Sequence, residues 1–114
     1  PEFVQETNAA IAEAFPGARM VTYGHLGDGN LHYNVQAPEG ADAEAFLRDQ
    51  EKPMNALVYA QVDRYNGSIS AEHGIGSLKR EKLAAHKSPV ALGMMRSIKQ
   101  ALDPHNIMNP GRML

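Results

Sequence analysis

The sequence predicts an α+β fold, a small antiparallel sheet with helices around it. Three observations predict it. Strand-like runs at 19–25 and 31–37 flank Asp28-Gly29, a dipeptide suited to a tight hairpin turn. Outside that hairpin, apolar residues recur at steps of three and four, the period of a helix face. Pro16-Gly17, Asn66-Gly67 and Asp103-Pro104 punctuate these segments. The order reads αββ(α)αβαα. Three short strands make only a small sheet, so the domain is expected to be incomplete by itself.

Each element has its own reason. Val4, Ala9, Ala10, Ile11 and Phe15 give Pro1 to Phe15 a helical period, and Pro16-Gly17 ends it. Arg19 to His25 and Leu31 to Ala37 form the hairpin, followed by a loop at Pro38-Glu39-Gly40. Ala41 to Asn66 is helical but interrupted, because Pro53 breaks an interior turn and suits the start of a new helix. Met54, Leu57, Val58, Val62 and Tyr65 form its apolar stripe, and Asn66-Gly67 stops it. Ser68 to Ser70 reads as a short strand. Ser77 caps a short helix through Ala85, and Ser88-Pro89 opens another, with serine at the cap and proline in the first turn. Ala91, Met94, Met95, Ile98, Ala101 and Leu102 give that last helix a face expected to be buried. The tail after Pro104 is irregular, yet its Ile107, Met108, Met113 and Leu114 call for a packing partner.

With 114 residues, 43 % hydrophobic and 21 % charged, the chain is long enough for one small core. Net charge is −2 with both signs interspersed, which argues against a nucleic-acid partner. No apolar run approaches a membrane span, and no signal peptide is visible. There is no cysteine, so a metal here would take nitrogen and oxygen ligands. The chain begins at Pro1, which reads as a truncation, with methionine removal or a cloning scar as other origins.

The chemistry concentrates in two stretches. With Asp28 and Gly29 at the turn centre, His25 faces His32 across the hairpin, and Tyr23, His25, His32 and Asn34 share one face. Opposed Cβ atoms lie roughly 5 Å apart, within reach of one metal ion. Stacking of the two imidazoles at a sheet edge is the other reading. The second stretch, 67–76, sets Glu72 beside His73 between glycines. His25, His32 and Glu72 form the ligand set of an open divalent site, with zinc the default and manganese or iron also compatible. Asp28 is better explained by turn chemistry than as a ligand. Histidine exchanges its proton near neutral pH, so His73 beside Glu72 suits a general base. His86 and His105 read as solvent-facing. Lys79, Arg80 and Lys82 read as a solvated helix face rather than an anion site.

The segments His-Leu-Gly-Asp-Gly-Asn-Leu-His (25–32), Ser-Ala-Glu-His-Gly-Ile-Gly (70–76) and Leu-Asp-Pro-His-Asn-Ile-Met-Asn-Pro-Gly-Arg-Met-Leu (102–114) resemble the C-terminal region of FAD-linked oxidases. This is the branch of the vanillyl-alcohol-oxidase superfamily with D-lactate dehydrogenase, the glycolate oxidase flavoprotein subunit and D-2-hydroxyglutarate dehydrogenase. The resemblance runs from about Phe15 to Leu114. It implies that residues 1–114 are the C-terminal substrate and metal (cap) domain, the C-terminal part of a ferredoxin-like unit plus a helical tail. FAD would be bound mainly by an N-terminal domain absent from this chain. By the resemblance, His25, His32 and Glu72 match the metal ligands and His73 the catalytic base. Asn34 matches a residue close to the flavin, and Asn109 resembles a flavin-side contact. The implied substrate is a 2-hydroxy acid, oxidised to the 2-oxo acid. The parent is expected in the cytoplasm, with peripheral membrane association the other placement. This chain alone is expected to lack oxidase activity and to self-associate through an exposed domain face. Two rival readings stand beside this one: a metal-dependent hydrolase using the same His/His/Glu set, and a noncatalytic interaction module with structural histidines.

Overall fold

The computed structural model describes residues 1–114, with Leu26 described by its backbone alone. It contains four helices and one two-stranded antiparallel sheet, an α+β arrangement. The elements are α1 (Glu2–Ala14), β1 (Arg19–His25), a 3₁₀ turn (Leu26–Asp28), β2 (Asn30–Gln36), α2 (Ala43–Arg64), α3 (Arg80–His86) and α4 (Pro89–Leu102). They fall into two compact units, Pro1–Ser68 and Ile69–Leu114.

In the first unit, α1 and α2 pack on each other. Ile11 and Thr7 on α1 are fully buried, and Met54 on α2 is nearly so. Phe3 sits edge-on to both Tyr33 and Tyr65, at 6.3 and 5.6 Å between ring centres. The Tyr33 hydroxyl donates to Asn8 Oδ1 at 2.7 Å, which ties β2 to α1. Arg64 reaches Glu6 at 3.3 Å and ties the end of α2 to α1. Strand alternation then decides the rest: Met20, Thr22, Tyr33 and Val35 are half-buried, while Arg19, Val21, Tyr23 and His25 are open. The open face of the hairpin is the one that carries the histidines.

The α2 helix runs unbroken through Pro53, contrary to the expected interruption. Proline removes one N–H, the donor that the Asp49 carbonyl would have received. Both residues are exposed, so water can take the place of the lost donor and the helix continues. Asp42 starts it, its carboxylate accepting the Glu44 and Ala45 N–H groups at 3.0 and 3.2 Å. Asn66, left-handed at φ 52°, and the bond from Gly67 N–H to Val62 O at 2.8 Å end it.

The second unit corrects three expectations. Ser68 to Ser70 is not a strand. A strand needs a ladder partner, and the Ser70 hydroxyl instead bridges to Gly74 O at 2.6 Å. Ser77 does not cap a helix. Turns occupy that stretch, and α3 begins at Arg80 with no side-chain cap. On α4, the Ser88 cap forms as expected, accepting the Ala91 N–H at 3.2 Å. Its buried side is different: Leu92 is buried, whereas Met94, Ile98 and Leu102 are 58–72 % exposed. A short unit has surface to cover only one side of an apolar helix, and Leu83 and Leu92 are its buried apolar core. Among the described residues, no helix is long and apolar enough to cross a membrane.

Candidate functional site

The hairpin positions the first group of site residues. Its register pairs Tyr23 with His32, Gly24 with Leu31, and His25 with Asn30. The expected pairing of His25 opposite His32 is therefore corrected by two residues. The cause is the connection. A two-residue turn at Asp28-Gly29 would give the expected register, but Leu26–Asp28 form a 3₁₀ turn and Gly29 follows at φ 65°. Four residues are spent on the reversal. A shift of two preserves the face, so Tyr23, His25, His32 and Asn34 still lie on one side. His25 and His32 become diagonal neighbours, roughly 7 Å apart rather than 5 Å.

Gly24 permits the close approach of the two strands. A Cβ there would lie 2.2 Å from the Asn30 carbonyl oxygen and 2.9 Å from Leu31 Cα. Beside it, the Tyr23 ring stacks on the His32 imidazole at 4.9 Å and 13°. Tyr23 was placed on this face by the sequence, but its contact with His32 depends on the true register. His25 Nδ1 lies 3.7 Å from the Asp28 carboxylate, both side chains well exposed. Asp28 thus sits in the turn and also beside an imidazole. Asn34 donates to Val21 O at 3.4 Å and to His32 O at 3.5 Å. Together these make an open face of two imidazoles, a carboxylate and an amide, floored by an aromatic ring.

Glu72 and His73 lie in the second unit, at the exposed tip of a loop. The Ser70–Gly74 bond closes the loop, and Gly74 and Gly76 turn it at φ 69° and 58°. Lys79 Nζ donates to Ile69 O at 3.3 Å across its base, so one of the three basic residues there braces the loop. The Met113 N–H donates to Gly76 O at 2.8 Å, and the Arg112 guanidinium to Ser77 Oγ at 3.3 Å. The tail is thereby fastened beside the Glu72–His73 loop. Asn109 is exposed and left-handed at φ 47°.

Sequence reasoning treated Asp103 only as the end of α4. In the structure its carboxylate is buried, pairs with Lys99, and accepts the Ile107 and Met108 N–H groups, both at 2.9 Å. The Lys99 ammonium and these amides hold the Asp103 carboxyl below the usual carboxylate range against the opposing effect of burial. The signal available was the Lys-x-x-x-Asp spacing, one helical turn, at the helix end.

The donor chemistry of His25, His32 and Glu72, nitrogen and carboxylate oxygen without thiolate, suits a borderline or hard divalent ion. The two histidines are contributed by one unit and Glu72 by the other. Among the described residues, no three His, Asp or Glu side chains are grouped to hold a metal ion.

A family profile described as FAD linked oxidases, C-terminal domain, matches residues 1–113. The chain is 42 % identical over 113 residues to a D-2-hydroxyglutarate dehydrogenase of Stutzerimonas stutzeri, covering 99 % of this chain and 24 % of that protein. It is 43 % identical over 97 residues to the mitochondrial D-2-hydroxyglutarate dehydrogenase of Arabidopsis thaliana, covering 85 % of this chain and 16 % of the other. A D-lactate dehydrogenase of Anaerostipes hadrus is 37 % identical over 112 residues, covering 98 % and 23 %. The chain thus spans a quarter or less of the length of these relatives.

Proposed function

Since the chain belongs to the C-terminal domain family of FAD-linked oxidases, we propose that it is the substrate and metal domain of an FAD-dependent dehydrogenase that oxidises a 2-hydroxy acid to the 2-oxo acid. The observation that carries this reading is the open hairpin face, where Tyr23, His25, His32 and Asn34 stand together. The names of the relatives favour D-2-hydroxyglutarate or D-lactate as the substrate. Glycolate is the smaller member of the same class.

In this reading the roles divide among the chain's own residues. His25 and His32 would offer imidazole nitrogens to a divalent ion, zinc by default and manganese or iron by ligand type, and Glu72 would offer a carboxylate oxygen. Such an ion supplies Lewis-acid polarisation of the substrate oxygens. The Tyr23 ring fixes the plane of the His32 imidazole. His73 would take the proton of the substrate hydroxyl as general base. Bound FAD supplies the hydride acceptor. Asn34 and Asn109 would be the chain's own contacts to the flavin, which the N-terminal part of the parent would hold. The acceptor of the electrons afterwards is a separate protein or small molecule.

The same reading assigns the open α4 side to a covered surface in the parent, and self-association to the chain alone. It places the parent in the cytoplasm.

The test is a thermal-shift titration with zinc and manganese, run beside His32→Ala. At a metal concentration of 100 times Kd, binding adds about 2.7 kcal/mol. The parent chain should gain stability and His32→Ala should not. Flavin reduction by D-2-hydroxyglutarate, D-lactate and glycolate in the full-length protein then identifies the substrate. A full-length protein that holds no metal, or whose flavin none of the three reduces, would end the proposal.

A further inference from the structure

The tail after α4 carries little apolar packing. Ile107 is 79 % exposed and Met108 51 %. Its first residues are nevertheless held by a dense polar cluster. Asp103 is 4 % exposed. Its Oδ1 accepts the Ile107 N–H and its Oδ2 the Met108 N–H, each at 2.9 Å, and its backbone carbonyl accepts the Asn106 N–H at 3.0 Å. Lys99 Nζ donates to Asp103 Oδ2 and also to the Met108 carbonyl. Two side chains thus bind both polar backbone groups of Met108, the residue immediately before Asn109. Asn106 and Asn109, on either side of the fixed pair 107–108, are both left-handed, at φ 52° and 47°. Past them, Asn109 O accepts the Arg112 N–H at 3.2 Å.

A buried ion pair is a poor way to gain stability, because desolvation offsets most of its attraction. Its better-attested use is to specify one conformation among several. Here the conformation specified is the path of 106–109. Moving the backbone at Met108 would take an amide donor from the buried Asp103 carboxylate and a carbonyl acceptor from the Lys99 ammonium, whereas moving an apolar contact would cost little. We propose that Lys99 and Asp103 form a positioning pair that fixes Asn109 for its contact with the flavin. The inference rests on the assignment of Asn109 to the flavin side made above.

The experiment uses the full-length, flavin-loaded protein with Asp103→Asn, Lys99→Met, Asn109→Ala and the double variant Asp103→Asn/Asn109→Ala. Three quantities are read: amide exchange of the peptide spanning 104–109, the flavin absorbance spectrum, and kcat and KM separately. Asp103→Asn and Lys99→Met should speed exchange at Ile107 and Met108 and shift the flavin band. They should lower kcat about tenfold, as for one lost hydrogen bond, with KM held within about twofold. The double variant should be no worse than Asn109→Ala alone, because both changes remove one interaction.

If Asn109→Ala perturbs the flavin while Asp103→Asn and Lys99→Met only speed exchange, the pair merely fastens the tail and the inference falls alone. If Asn109→Ala is silent in spectrum and kcat, the assignment of Asn109 fails and the inference falls with it. Additive losses in the double variant also overturn it. Lys99→Met keeps both amide bonds to the carboxylate, so it serves if Asp103→Asn does not fold. Failure of both to fold would show a role in the fold itself and overturn the proposal.

Discussion

Gly24→Ala is expected to damage the hairpin out of proportion to one methyl group. The new Cβ would meet the Asn30 carbonyl oxygen at 2.2 Å and Leu31 Cα at 2.9 Å, both backbone atoms that no rotamer change can move. Ordinary contact begins at roughly 3.5 Å, so the strands would have to part by about 1 Å. Ladder bonds of about 2.9 Å would stretch to about 3.9 Å and be lost. One or two lost bonds at about 1 kcal/mol each, with overpacking of about 1–2 kcal/mol, give a total of about 2–4 kcal/mol. For a chain of this size that corresponds to a fall in Tm of about 8–16 °C. Two controls separate the clash from glycine loss in general. Gly27 has no neighbour within 4 Å of a built Cβ and no positive φ, so Gly27→Ala should leave Tm unchanged. Gly29 is equally open but lies at φ 65°, so Gly29→Ala should cost only the left-handed conformation, about 1 kcal/mol. The assay is thermal unfolding followed by far-ultraviolet circular dichroism. A Gly24→Ala Tm no lower than that of Gly29→Ala would refute the strand-approach argument and, with it, the register that stacks Tyr23 on His32.

Three other outcomes are expected. Pro53→Ala should restore an amide to the middle of α2 and raise stability by about 1–3 kcal/mol, the usual interior proline penalty; an unchanged melt and helix signal would mean that the helix carries the proline without penalty. Thr7→Val should raise stability by about 1 kcal/mol, because Thr7 is fully buried and its hydroxyl has no partner among the described residues; a lower Tm would mean that the hydroxyl is paired after all. The Lys99–Asp103 pair predicts a pH effect. Asp103 has a lowered folded-state pKa, so its contribution is complete above the unfolded carboxylate value of about 4 and disappears as pH falls through the lower folded value. The Tm of the parent should therefore drop more steeply below about pH 4 than that of Asp103→Asn. Parallel curves would show that the carboxylate is not preferentially charged in the folded chain.

Local signals were readable where the chemistry is local. Ser88-Pro89 announces the start of α4, and Asn66-Gly67 the end of α2, because caps and left-handed stops act over three or four residues. The shared face of Tyr23, His25, His32 and Asn34 was readable because an even register error keeps faces. The register itself was not, since nothing in Leu-Gly-Asp-Gly distinguishes a two-residue turn from a 3₁₀ reversal. Pro53 misled because exposure of the orphaned Asp49 carbonyl depends on the tertiary surroundings. The buried side of α4 was not legible either. Apolar residues wrap most of that helix, and which side is covered depends on how much chain is present to cover it. Asp103 was readable as a helix end, but its amide partners lie in a tail whose return has no periodic signature.

The bond from Met113 to Gly76 gives the chain end a use as an instrument. A dye attached after Leu114 would hang beside the loop that bears His73, and its anisotropy would follow that loop's motion in real time. The same dye at Pro1, on an exposed helix start, would report only tumbling. For purification the order reverses: an affinity tag belongs at Pro1, because a tag on the last residue would pull on the strap that holds the loop in place.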